Sequence, residues 1–152
     1  MMKVSLIDVD KDNYEDVMSL EVGPGQEVFV APNSESIVES HFNEYCRARV
    51  ICYGEEVVGF AMYERCVNEG KPNEYNLYRM MVDQSHQNQG IGSEAMRLLL
   101  DEMKQQLDCH RITVCYDETS ERHKSFYQRF GFVEVGYYEE YEEMLAEIIV
   151  RK

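Results

Sequence analysis

Apolar residues in this chain follow two rhythms: short β-branched runs, and longer stretches in which they return every three or four positions. The run VSLI at 4–7 predicts a first strand. Tyr14, Val17 and Met18 stand at i, i+3 and i+4 behind Asn13, with Glu15 and Asp16 in the first turn. A helix capped by Asn13 is expected there, reaching about Val22, where Gly23, Pro24 and Gly25 stop it. Pro32, Asn33 and Ser34 break the chain and cap a second helix, with Val38, Phe42 and Tyr45 on one face. RVICY at 49–53 and VVGFAMYE at 57–64 flank a turn containing Gly54 and predict an antiparallel hairpin.

A polar loop at 68–73 leads into YRMMVDQSHQNQGIGSEAMRLLL at 78–100, which organises the rest. It reads as a strand at 78–82, a polar turn, a loop bearing Gly90 and Gly92, and a helix whose Met96, Leu99, Leu100, Met103 and Leu107 share a face. RITVCY at 111–116 is another strand. Thr119 or Ser120 caps a short helix ending in FYQRFGF, with Gly131 just past its last turn. Residues 132–138 and 144–150 close the chain as two strands. The order β-α-α-β-β-β-α-β-α-β-β predicts an α/β (α+β) architecture, with a mixed sheet between helices. Without repeats or a linker, one domain is expected over 1–152.

Composition narrows the function. A chain of 152 residues, 44% hydrophobic, can bury a sizeable core. Its five cysteines are odd in number and lack a CxxC pair, which predicts reduced thiols rather than disulfides or a zinc site. No secretory signal opens the chain and no apolar run approaches the ~20 residues of a membrane helix, so a soluble cytoplasmic protein is expected. A net charge of −14 argues against nucleic acid, whose phosphates need basic patches; it could concentrate a cationic ligand, but by itself it is explained by solubility and becomes informative only together with an amine substrate.

The glycine loop carries the first chemistry. A strand that feeds a helix through Gly90 and Gly92 leaves N–H groups without acceptors at the positive end of the helix dipole, a ready anion site, although an ordinary strand-to-helix turn also uses glycine for its conformational freedom. No lysine follows, so this is not a nucleoside-triphosphatase phosphate loop, nor does it read GxGxxG. Gln87, Gly90 and Gly92 match Q/R-x-x-G-x-G/A, the pyrophosphate loop of the GNAT superfamily of acetyl-CoA-dependent N-acetyltransferases. FYQRFGF resembles that superfamily's L/F-Y-x-x-x-G-F signature, and the order of elements is similar to the GNAT fold. VGFAMY, GIGSEAM and QEVFVAPN resemble bacterial diamine and spermidine acetyltransferases.

The resemblance implies a mostly antiparallel sheet splayed between its fourth and fifth strands, acetyl-CoA as cosubstrate and no metal. It further implies a small-molecule amine as acceptor, and it allows a homodimer. Cofactor contacts fall on Gln87, Asn88, Gln89, Gly90, Ile91, Gly92 and Ser93, on the strand edge at Met80, Met81 and Val82, and on Ser120 and His123. A Val82 N–H could polarise the thioester carbonyl. Tyr127 takes the place of the family's general acid, although packing with Phe126, Phe130 and Phe132 would also explain an aromatic there.

The resemblance is incomplete at two places. Where polyamine acetyltransferases carry an acid before the central strand's bulge, this chain has Tyr78 and Arg79; Glu74 and Glu64 are the substitutes, Glu74 as base and Glu64 with Tyr78 and Glu27 as acceptor contacts. Many relatives carry Asn-x-x-Ala ahead of the tyrosine, whereas Ser120 and His123 stand here, with His123 expected to face solvent beside Arg122 and Lys124; those three could also meet the negative CoA phosphates. Glu134, Glu139, Glu140, Glu142, Glu143 and Glu147 form an acidic run near the chain's end, and with Glu21 and Glu27 they would border an acceptor mouth suited to a polyamine. An acyl-CoA-binding domain without turnover, and a protein or peptide N-acetyltransferase, are the competing readings.

Overall fold

The computed structural model describes residues 3–23 and 32–152. Its strands are β1 Val4–Asp8, β2 Cys46–Tyr53, β3 Glu56–Arg65, β4 Glu74–Val82, β5 Arg111–Asp117, β6 Val133–Tyr138 and β7 Glu143–Ile149. Its helices are α1 Tyr14–Met18, α2 Asn33–Phe42, α3 Ile91–Lys104 and α4 Glu121–Arg129. The expected order of elements is the observed one. The seven strands form one mixed sheet in the order β1-β2-β3-β4-β5-β7-β6.

Residues divide between the two faces of this sheet, with a bulge in the β2–β3 pairing at Ile51 and Cys52. Ile51, Val58, Ala61 and Tyr63 face α3 and α4, where Met96, Leu99 and Met103 meet them. Their neighbours Val50, Cys52, Phe60 and Met62 face the other way, toward Val17 of α1 and Ile37 of α2. Burial on both faces explains why RVICY and VVGFAMY are nearly continuous apolar runs. Gly59 is required here, because a Cβ at this position would lie 2.6 Å from the Met81 carbonyl oxygen.

Among the described residues β4 and β5 are the only parallel neighbours, and they pair over just three positions, Glu74 with Arg111, Tyr75 with Ile112 and Asn76 with Thr113. The Asn76 side chain reinforces the last of these, donating to Thr113 Oγ1 at 2.8 Å and to its carbonyl at 3.2 Å. Beyond that point the strands part, while β3 and β4 stay paired through a bulge near Met62.

Several boundaries differ from the sequence reading. α1 ends at Met18 rather than near Val22. The Asn13 side chain makes no cap bond; it instead accepts from the Asp10 N–H and donates to the Asp8 carbonyl. On α2 the expected apolar face is inverted: Phe42 is 88% exposed and Val38 is exposed, whereas Asn33 and Ser36 are buried, and Tyr45 lies beyond the helix. The Asn33 amide explains its own burial by donating to the Val17 carbonyl at 3.0 Å. α3 stops at Lys104, which leaves Leu107 92% exposed. β4 begins at Glu74, four residues before Tyr78. No helix among the described residues is long and apolar enough to cross a membrane.

Candidate active site

At the open end of the β4–β5 gap lies a cleft of about 390 Å³. Its floor is the end of β4, its sides are the glycine loop and α4, and Val22 closes it from the α1 side. The segment carrying Val22 is tied to the loop after β4, where the Gln84 N–H donates to the Glu21 carbonyl at 2.6 Å and the Glu21 N–H to Asp83 Oδ1 at 2.8 Å.

The glycine loop turns sharply. Asn88 has φ 62° and Gly90 φ 81°, both left-handed, and Gly90 is the residue that caps α3. A Cβ on Gly90 would meet nothing within 4 Å, so it is conformation rather than crowding that favours glycine. Gln87 Nε2 donates to the Val82 carbonyl at 2.9 Å, binding the loop back onto β4. The first N–H groups of α3 therefore open on the cleft without acceptors in their own helix.

Backbone groups also line the gap. The Asp83 N–H donates toward β3, to the Val58 carbonyl at 2.7 Å. Because successive strand residues present their backbone groups to opposite sides, the N–H groups of Val82 and Met80 face away from β3 into the gap.

On α4, Ser120 is the cap, its Oγ accepting from the His123 N–H. Tyr127 lies two turns further on, only 8% exposed, packed among Tyr116, Phe126 and Phe132. The ring packs, and among the described residues the hydroxyl has no hydrogen-bond partner, on a side chain that lines the cleft. Burial, and then the nearby Cys115, push its phenol up to about 12. His123 does not face solvent as expected. It is half-buried at the cleft, stacked on Tyr127 with ring centroids 6.3 Å apart and bonded through Nδ1 to Ser120 Oγ at 2.6 Å. Burial, then the charge on Arg122, lower its value and favour the neutral imidazole.

Of the expected cofactor contacts, Met80, Met81 and Val82 line the cleft, as do Gln87, Asn88, Gly90, Gly92 and Ser93. Ile91 is buried in the core, Gln89 is exposed with its amide on the Ser85 carbonyl, and Ser120 sits behind His123.

The acidic candidates separate. Glu74 is removed from the cleft, at the closed end of the β4–β5 ladder, where it pairs with Arg111 at 3.1 Å. Glu64 and Tyr78 come together around Cys46: Tyr78 Oη lies 2.9 Å from Cys46 Sγ and donates to Glu39 at 3.3 Å, and Glu64 Oε2 accepts from Asn43 at 3.1 Å. Burial and then the neighbouring Glu69 raise the Glu64 carboxyl. Glu27 lies outside the described residues.

The acidic run from Glu134 to Glu147 is only partly free. Glu147 is paired with Arg111, and Glu134 accepts from Tyr116 and forms a loose ion pair with Lys124, leaving Glu139, Glu140 and Glu142 exposed at the β6–β7 turn. Glu143 is half-buried opposite Asp117, on the same face of the sheet. Burial, and then Asp117, raise its carboxyl against the opposing pull of Arg79 across the gap, and its charge reaches Cys115.

Sequence reasoning missed Val22, Phe126 and Arg129, which complete the cleft. Phe126 and Arg129 could have been found from helical spacing, since Arg122, Phe126 and Arg129 stand at i, i+4 and i+7.

The chain matches the model of the acetyltransferase (GNAT) family over residues 14–132. It is 25% identical over 134 residues, 86% of this chain and 88% of the other, to the spermine/spermidine N(1)-acetyltransferase of Bacillus subtilis. Its fold is similar to a domain from Methanocaldococcus jannaschii, with a TM-score of 0.78, 16% identity and coverage of 98% and 99% of the two chains. It is similar also to RimL, the ribosomal L7/L12 alpha-N-protein acetyltransferase in complex with coenzyme A, with a TM-score of 0.74, 14% identity and coverage of 97% and 94%. With a glycine-capped helix, a splayed strand pair and a buried tyrosine around one cleft, and the family model spanning most of its length, the chain belongs to the acetyltransferase (GNAT) family.

Proposed function

We propose that this enzyme transfers the acetyl group of acetyl-CoA to a primary amine of a polyamine or diamine, by direct attack in a ternary complex. The observation that carries the reading is the conjunction of the open β4–β5 gap with Tyr127 and the start of α3 on the same cleft. Pyrophosphate meets the N–H groups that follow Gly90, and the pantetheine amides pair with the strand edge at Met80 and Val82. The Val82 N–H donates to the thioester oxygen as it gains charge, a contribution of ~3 kcal/mol for such donors.

Tyr127 attends the leaving sulfur. A phenol pushed up to about 12 remains protonated at any working pH. Full transfer to a thiolate whose acid lies near ~8.5 runs uphill, so Tyr127 acts as a hydrogen-bond donor while the C–S bond breaks. An acyl-cysteine route is disfavoured by the same surroundings: Cys115, the thiol within electrostatic reach of Tyr127, is pushed up by burial to about 11 and stays protonated.

The acceptor ammonium, near ~10.4 in water, must lose a proton before it attacks. Glu74 is engaged with Arg111, so the role passes to Glu143, whose raised carboxyl stands across the gap from Arg79. The first proton goes to Glu143, directly or through water, and nitrogen attacks the carbonyl carbon. The C–S bond breaks, the nitrogen releases its second proton to solvent as the amide forms, and the thiolate takes up a proton from solvent. Support for a polyamine comes from the curated relative named for spermine and spermidine and from the exposed carboxylates of Glu139, Glu140 and Glu142.

A panel of amines assayed for CoA release tests this reading. Spermidine, spermine or a diamine should have the highest kcat/KM, falling steeply between low and physiological salt, because exposed charges are screened over ~8 Å at 0.15 M. Equal activity toward a monoamine with a neutral tail, or salt-independent kinetics, removes the polyamine assignment and leaves the acetyltransferase.

A further inference from the structure

The cleft is assembled from distant parts of the chain, and Val22 is the only lining residue among those described that precedes β4. Its own helix does not hold it. α1 ends at Met18, and the turn that follows reaches only as far as the Leu20 N–H, which donates to the Val17 carbonyl at 3.3 Å. Glu21 is held instead at both its backbone groups by the loop after β4. Its N–H donates to Asp83 Oδ1 at 2.8 Å, and its carbonyl accepts from the Gln84 N–H at 2.6 Å. The wall that carries Val22 thus takes its position from residues sixty places further along the chain.

Asp83 joins three segments. Its own N–H is fixed on β3, at the Val58 carbonyl. While Oδ1 holds Glu21, Oδ2 accepts from the Ser85 N–H at 3.2 Å and from the Ser85 hydroxyl, so the same carboxylate caps the short 3₁₀ turn at 84–86. That turn runs directly into Gln87 and the glycine loop. His86 at its end lies 3.3 Å from Glu56 of β3, which moors the turn on the sheet. Burial raises the Asp83 carboxyl, but bonds from the Ser85 hydroxyl and from the Glu21 and Ser85 N–H groups outweigh it and hold the group below its ordinary value. Asp83 therefore stays an ionised acceptor at neutral pH, and hydrogen bonds to ionised acceptors are the strong ones.

We propose that Asp83 is a positioning residue for the donor: through Glu21 it holds Val22 as the apolar wall against which the pantetheine arm of acetyl-CoA lies. The inference rests on acetyl-CoA as donor. Val22 is half-buried, packed against the apolar cluster under α1, and it lines the cleft together with Met81 and Val82. The amides of the arm pair with β4, and its methylene groups need a second, apolar surface to leave water. A wall fixed before the ligand arrives spares the cost of ordering one on binding. The carboxylate that fixes it also caps the turn leading to the anion site, so the two ends of the donor's binding surface share one anchor.

The test is calorimetric titration of CoA into the full chain and into Asp83→Ala, Val22→Ala, the variant carrying both, Asp83→Asn and Ser85→Ala, with steady-state kinetics on the same proteins. Asp83→Ala and Val22→Ala should each weaken CoA about fivefold, the equivalent of one net hydrogen bond, and raise KM for acetyl-CoA in step while kcat stays within about twofold. Because one residue acts through the other, the double variant should bind no more weakly than either single one. Asp83→Asn keeps an oxygen that can accept from the Glu21 N–H and should recover most of the affinity. Ser85→Ala leaves that bond in place and should bind as the wild type does. An Asp83→Ala variant with a lower Tm and unchanged Kd overturns the proposal, as do losses that add in the double variant. A wild type that binds CoA and acetylates no amine overturns the proposed reaction, while the Kd values still decide the role of Asp83. A wild type that binds no CoA overturns both.

Discussion

Glu74 on β4 and Arg111 on β5 meet at 3.1 Å on the first of the three residue pairs that join these strands. Arg111 also holds Glu147 of β7 at 3.1 Å, so one guanidinium binds three strands below the gap. Glu74→Gln should therefore cost about 1 kcal/mol of stability, in keeping with a partly exposed ion pair, and leave turnover within about twofold. A hundredfold loss of turnover with an unchanged melting curve would return Glu74 to the role of base.

Gly90→Glu should abolish acetyl-CoA binding in calorimetry while the protein stays folded. The new side chain is forced to a φ of 81°, which costs a non-glycine residue ~1–2 kcal/mol, or a few degrees of Tm in a chain of this size. It also brings a carboxylate to the anion site. Undiminished CoA affinity would make the loop a structural turn.

Tyr127→Phe should lower kcat by ~10²–10³, the loss of one donor to developing charge, with little change in acetyl-CoA affinity. Because the hydroxyl has no hydrogen-bond partner among the described residues, the ring packing survives and Tm should move little. Wild-type turnover in this variant would reduce Tyr127 to a packing residue.

The acidic limb of the pH profile should identify Glu143. A base works only when deprotonated, and this carboxyl is raised, so kcat/KM should fall with decreasing pH at a value above the ~4.3 of an ordinary glutamate. Glu143→Gln should lose that limb and ~10²-fold or more in rate, leaving activity that climbs with pH as solvent deprotonates the amine. An unshifted limb in the variant assigns the proton to another group.

Where local chemistry decides, the sequence was readable. The glycine loop and FYQRFGF announced the cleft because backbone freedom and helical spacing are local properties. Tertiary partners decided the rest. Val38 and Phe42 have the spacing of a buried face, but the buried Asn33 amide finds the Val17 carbonyl and orients α2 the other way. Glu74 is as acidic as any base in sequence, and only the register of β4 on β5 gives it to Arg111. Lys124 and Arg129 look equivalent until Glu134 claims one of them.

The short β4–β5 ladder also divides the sheet mechanically. Three residue pairs join a panel of β1 to β4 to a panel of β5, β7 and β6, and above them the facing amides have no partner across the gap. Such amides exchange with solvent without any unfolding, while those within each panel wait for a larger opening. A ligand whose own amides enter the gap acts as a stitch, raising stability with its concentration and fusing two cooperative units into one. Hydrogen exchange at Met80, Val82 and the β5 amides that face the gap should then slow more on ligand binding than anywhere else in the sheet, and the cosubstrate becomes for the length of a turnover its missing rung.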